Sequence, residues 1–109
     1  MEIIRTRTYA KQARRLLDEH EQRIAEDDIA RAPQAWPVIT GTGGVWKARA
    51  ARGNAGKSGG VRIIYYYMAQ DGRIYLLDLY AKNAQGDITA ASKKILRETV
   101  KLLKGAPHG

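Results

Sequence analysis

Two segments, Val61-Arg-Ile-Ile-Tyr-Tyr-Tyr-Met68 and Ile74-Tyr-Leu-Leu-Asp-Leu-Tyr-Ala81, are apolar at almost every position, with Asp71-Gly72 between them. β-Branched and aromatic residues at this density form strands. Asp and Gly both tolerate the positive φ of a type I′ turn, so the pair reads as a two-residue hairpin. Strands this apolar hide both faces. A chain of 109 residues has room for one domain, spanning 1–109, and one modest core. The rest of the sequence must therefore cover a small sheet on two sides.

The covering elements are legible. Glu2 to Arg7, with Ile3 and Ile4, reads as an opening strand. From Tyr9 the spacing turns helical, with Ala10, Ala13, Leu16 and Leu17 on one stripe and Lys11, Arg14 and Arg15 outside. A second helical stretch carries Ile24, Ala25 and Ile29 to Ala32; whether the two form one bent helix, the pattern leaves open. Pro33 and Pro37 end it. Val45 to Ala51 alternates, with Val45, Lys47, Arg49 and Ala51 on one side and Trp46, Ala48 and Ala50 on the other. Thr89 is placed to cap a last helix, with Ile95, Leu96, Val100, Leu102 and Leu103 inward and its lysines outward. The expected order is β-α(α)-β-β-β-α: an α+β domain with a small antiparallel meander, two N-terminal helices and a C-terminal helix.

Charge narrows the function. The net charge is +8, and no Asp or Glu occurs from Ile29 to Gln70, a stretch holding Arg31, Lys47, Arg49, Arg52, Lys57 and Arg62. Such a surface attracts phosphate backbones. Without cysteine there are no disulfides or thiolate metal sites, which suits a reducing cytosol. No apolar run approaches the roughly 18 residues of a membrane span, and no signal-peptide core is present, so a cytoplasmic protein is expected. With only His20 and His108, neither a histidine metal site nor a Ser-His triad is expected, and no cofactor or metal is called for.

Gly56-Lys57-Ser58 imitates the end of a phosphate-binding P-loop. However, Ala51 stands where that motif needs glycine, and a strand follows where it needs a helix. Arg52 and Lys57 are instead candidates for contacts to a nucleic-acid backbone. The sharper set is Lys47, Arg49 and Arg62. If their strands pair antiparallel, all three project from one face, and clustered cations repel unless an anion lies between them. A two-residue turn at Asp71-Gly72 would set Arg62 opposite Ala81, on a face with Leu79 and Asn83, and would send Lys82 to the other face. Tyr65, Tyr66, Tyr67, Tyr75, Tyr80, Trp36 and Trp46 are read as core, and Asp78 as a hydrogen-bonded structural carboxylate.

Gly41-Thr-Gly-Gly-Val-Trp-Lys-Ala-Arg49, Lys57-Ser-Gly-Gly-Val-Arg-Ile-Ile-Tyr-Tyr-Tyr67, Asp71-Gly-Arg-Ile-Tyr-Leu-Leu77 and Leu79-Tyr-Ala-Lys-Asn83 together resemble the RelE/ParE superfamily of toxins, in its HigB-like branch. The resemblance covers nearly the whole chain. It implies a type II toxin-antitoxin toxin: a metal-independent, ribosome-dependent endoribonuclease that cuts mRNA in the A site. A cognate antitoxin, expected to be a helix-turn-helix HigA-like protein, would restrain it. Carried over by position, Lys47 and Arg49 match the basic pair on the second strand and Arg62 the most typical arginine. Lys82 and Asn83 match the basic segment after the last strand. Asn83 stands where the RelE branch has a second arginine and Ile88 where that branch places a tyrosine, which leaves the general acid unassigned. RNA brings its own nucleophile, so the protein need only align the 2′-hydroxyl, take its proton and stabilise charge. A lysine among cations can be neutral and act as base; Lys47 is the first candidate and Lys82 the second. The rival readings are a gyrase poison of the same fold and a non-catalytic nucleic-acid-binding module.

Overall fold

A computed structural model describes residues 1–53, 56–84 and 88–105. Its four strands, β1 (Glu2–Arg5), β2 (Trp46–Ala50), β3 (Val61–Met68) and β4 (Arg73–Ala81), form one sheet in the order β1-β4-β3-β2. β2, β3 and β4 make the expected antiparallel meander. β1 joins β4 in parallel, so the sheet is mixed. Parallel pairing needs a long connection, and two helices follow β1: α1 (Arg7–Leu16) and α2 (Glu19–Arg31). The free edge of β2 is partly covered, since the Lys47 amide donates to the Pro37 carbonyl at 2.9 Å.

Side chains decide where the helices begin. The Thr6 hydroxyl accepts from the Tyr9 amide at 3.2 Å, which ends β1 two residues earlier than Arg7 and starts α1. Asp18 and Glu21 form a reciprocal capping box, with contacts of 2.7 and 3.0 Å. That box resolves the open question: there are two helices, not one bent helix. The glycine-rich segment also holds one helical turn, α3 (Gly56–Gly59), before β3. The last helix, α4 (Ala90–Gly105), is capped by Thr89, whose hydroxyl accepts from the Ser92 amide at 3.1 Å.

The sheet is covered on both sides. α1 and α2 pack Tyr9, Ala13 and Ile29 onto the face that carries Ile63, Tyr65 and Leu76. α4 lays Val100 on the other, with Ile64, Tyr66 and Tyr80 beneath it. Two expectations for α4 fail. Ile95 and Leu102 are 67% and 76% exposed, because the sheet is narrower than the helix's apolar arc.

The hairpin differs in a way that matters to the site. Met68 pairs with Arg73, so the turn has four residues, 69–72, with Gly72 in the left-handed region at φ 65°. A bulge between Ile64 and Tyr65 then adds one residue on β4. The longer turn slips the register by two and the bulge returns one. The net slip of one residue reverses every side-chain face beyond the bulge. Arg62 therefore lies opposite Tyr80, not Ala81, and its face holds Tyr80 and Asp78 in place of Leu79.

Beneath α1 and α2 lies a polar cluster. The Arg5 guanidinium grips the Glu26 carboxylate with two Nε contacts of 3.1 Å and a further hydrogen bond from Nη2. The fully buried Tyr9 hydroxyl donates to the same carboxylate at 2.9 Å. Burial, and then the Glu26 charge, push the Tyr9 hydroxyl well above its usual pKa; burial does the same to Tyr65. The folded state thus holds these protons after the unfolded chain has lost them. Stability is expected to be intact below about pH 10 and to fall above it, by up to about 1.4 kcal/mol per pH unit for each tyrosine. Chemical denaturation at pH 8, 10 and 11, with phenolate absorbance followed in parallel, measures this; an unchanged midpoint at pH 11 would contradict it.

Candidate phosphate-binding cleft

The period-2 alternation of β2 places Lys47 and Arg49 on the α4 side of the sheet, and β3 adds Arg62 there. Arg49 is paired directly with Arg62, and Lys47 with Ile64. Side chains opposed in this way stand about 4.5–5.5 Å apart at Cβ, where like charges repel. Among the described residues neither Lys47 nor Arg49 has an ion-pair partner. Arg62 Nη1 donates to the Val61 carbonyl at 3.2 Å, which turns the guanidinium along its own strand. α4 reaches over this face from Ile64 onward and leaves the Arg49–Arg62 end open. Here the sheet presents positive charge beside an apolar floor.

Lys82 adjoins this end. Its amide donates to the Gly60 carbonyl at 3.1 Å, which continues the ladder one residue past Ala81. The corrected register gives Lys82 the same parity as Tyr80 and Arg62, the reverse of the expectation from a two-residue turn. It then enters a 3₁₀ turn, Lys82–Ala84, in which Asn83 is exposed. Arg52 is not part of the cluster. Its Nε donates to the Leu16 carbonyl at 3.1 Å, which holds it against the end of α1 on the opposite face. The side chain of Lys57 lies outside the described residues.

The aromatic residues are mainly core, as expected. Tyr65 is fully buried, its hydroxyl donating to the Pro33 carbonyl at 2.7 Å, and Trp46 stacks on its ring at 5.8 Å. Asp78 was expected to be a structural carboxylate, and its Oδ1 does accept from the Leu79 amide at 2.8 Å. It also does something not legible in the sequence. With Ile64 and Tyr80 it forms the sheet wall of a 170 Å³ cavity, half open to solvent and lined on the helix side by Ser92, Ile95 and Leu96. Burial raises the Asp78 carboxyl above its ordinary pKa, while the Leu79 amide works against that shift. No local signal marks this residue: the bulge gives it the parity of Ile64 and Tyr80, and it also borders an open groove on the α1 side lined by Arg7, Thr8, Lys11 and Gln12.

Among the described residues no cluster of His, Asp or Glu is arranged to hold a metal ion, and no helix is long and apolar enough to cross a membrane. The cleft can bind an anion between three cations, present a lysine amine to it and receive an apolar or aromatic group alongside. A scan against protein-family models matches residues 1–108 to the RelE toxin of the RelE / RelB toxin-antitoxin system. A match over essentially the full chain, on a mixed α+β fold, makes this protein a member of the RelE toxin family, the toxin half of a toxin-antitoxin pair.

Proposed function

We propose that the protein is a ribosome-dependent mRNA endoribonuclease of the HigB-like branch that cuts within the A-site codon and so arrests translation in the cytoplasm. The observation that carries this reading is the pairing of Arg49 with Arg62 beside Lys47, without acidic partners for Lys47 and Arg49 among the described residues. Three cations held together at the open end of a cleft fit a phosphodiester. A gyrase poison of the same fold would not need them. Lys47 takes the proton of the ribose 2′-hydroxyl, and the oxygen attacks the adjacent phosphorus. Arg62 and Arg49 hold the charge that builds on the phosphorane oxygens. The P–O5′ bond then breaks, leaving a 2′,3′-cyclic phosphate on one fragment and a 5′-hydroxyl on the other. Lys82, at the adjoining strand end, is the second candidate for either proton transfer. The cognate antitoxin, proposed to be a HigA-like helix-turn-helix protein, carries acidic groups to this surface, so the association rate should fall steeply with salt.

Dependence on the ribosome follows from the site's composition. Lysine and arginine grip phosphate but do little to align an RNA backbone, and a scaffold that fixes the codon supplies the missing orientation. One labelled mRNA, free and bound to ribosomes, incubated with wild type and with Lys47→Ala, tests both steps. Cleavage is expected on the ribosome alone, and Lys47→Ala should lower it by about 10²–10⁴-fold. Equal cutting of free and bound RNA would remove the ribosome from the mechanism. Undiminished cutting by Lys47→Ala would move the base elsewhere.

A further inference from the structure

The geometry points to the cavity between β4 and α4 as a nucleobase pocket that reads guanine, with Asp78 as its base-reading residue; this rests on the nuclease reading above. Four observations support it. First, the lining suits a flat ring: the half-open cavity measures 170 Å³ and is walled by Ile64, Tyr80, Ile95 and Leu96. Second, the position is right. Tyr80, which walls the cavity, is the cross-strand partner of Arg62, so a base in the cavity lies beside the strand that carries this arginine.

Third, the polar groups select one base. An ionised carboxylate only accepts hydrogen bonds. Guanine offers it two adjacent donors, N1–H and N2–H₂, one for each oxygen. Adenine and cytosine set a ring acceptor beside their single amino group, and uracil flanks its one donor with two carbonyls. Oδ1 of Asp78 spends one lone pair on the Leu79 amide and keeps another. Ser92 accepts from the Thr89 hydroxyl at 3.1 Å, which leaves the Ser92 proton to donate to guanine O6. Fourth, Asp78 works against the fold. Its folded-state pKa is raised, so the associated stability is present in acid and lost as pH rises through that pKa. A carboxyl group held in a partly buried cavity against its own desolvation cost is a feature of binding sites. Asp78→Asn retains an acceptor for the Leu79 amide and lacks that charge, so it should melt no lower than the parent.

The test is a set of messages that differ only in one nucleotide of the A-site codon, varied at each position in turn and presented on ribosomes. Wild type should cut the message with guanine at one position about 10- to 100-fold faster than its A, C and U counterparts. Asp78→Asn should lose that preference. A preference that Asp78→Asn keeps, or no guanine preference at any position, would overturn the pocket and leave the nuclease reading standing. If nothing is cut at all, the nuclease reading fails. Calorimetric titration with 3′-GMP and 3′-AMP then decides the pocket separately. Binding of 3′-GMP that is tighter than that of 3′-AMP and weakened in Asp78→Asn sustains it; equal binding of the two nucleotides removes it.

Discussion

Arg62→Ala should lower ribosome-dependent cleavage by about 10²–10³-fold, the usual effect of removing one group that stabilises charge in a transition state. Growth arrest in cells expressing the protein alone should disappear with it. The fold should not suffer. Arg62 is half-buried and paired with Arg49, so truncation removes a like-charge contact, and the unfolding free energy should stay within about 1 kcal/mol of the parent. Arg62→Lys should recover little, because a point charge cannot reproduce a planar guanidinium on two phosphate oxygens. Cleavage assays and a denaturation curve on the same preparations separate the two effects. A folded Arg62→Ala protein as active as wild type would end this arginine's assignment as the phosphate anchor.

Gly60→Ala should do its damage through the backbone. Gly60 precedes β3, and a Cβ there would fall well inside contact distance of the Ala50 carbonyl oxygen, 2.8 Å from the Gly56 oxygen and 3.0 Å from the Arg52 amide. All three are main-chain atoms, with no flexible end to give way. Over-packing of this kind costs about 1–3 kcal/mol, and here it also displaces the strands that carry the site. The Gly60 carbonyl holds the Lys82 amide, and Ala50 closes β2 one residue after Arg49. Both stability and cleavage should therefore fall together, unlike in Arg62→Ala. Urea unfolding beside the ribosome assay checks this; wild-type behaviour in both would show that the hairpin relaxes around the new methyl group.

The comparison of sequence with structure divides along the range of the interactions. β3 begins and ends where its apolar run does, and the Asp18-x-x-Glu21 box that splits the helices is written in four adjacent residues. The shared face of Lys47 and Arg49 follows from alternation within one strand. Register does not. Asp71-Gly72 has the chemistry of a two-residue turn, yet the chain turns over four residues and corrects itself with a bulge a few residues away, between Ile64 and Tyr65 on β3 and at Leu77 on β4. Lys82, Asp78 and Tyr80 inherit their faces from that combination. Arg52 shows the same limit, since its tie to Leu16 spans 36 residues and leaves no trace in either segment. Ile95 and Leu102 carry a correct helical period whose outer part meets no partner strand.

The parallel seat of β1 has a consequence in time. The Glu2 amide donates to the Gly72 carbonyl at 2.9 Å, and Arg73 returns a contact of 3.0 Å to the Glu2 carboxylate, 71 residues from the start of the strand. At about 5–20 residues per second, synthesis separates the two by about 4–14 s. Throughout that interval the first strand made has no sheet to join. The cationic cleft needs β2, β3 and the start of the turn after β4, so it too is assembled late. Topologies dominated by such distant pairings fold slowly. A newly translated molecule therefore spends seconds with its sheet unfinished, and an antitoxin already present can meet it before the sheet closes.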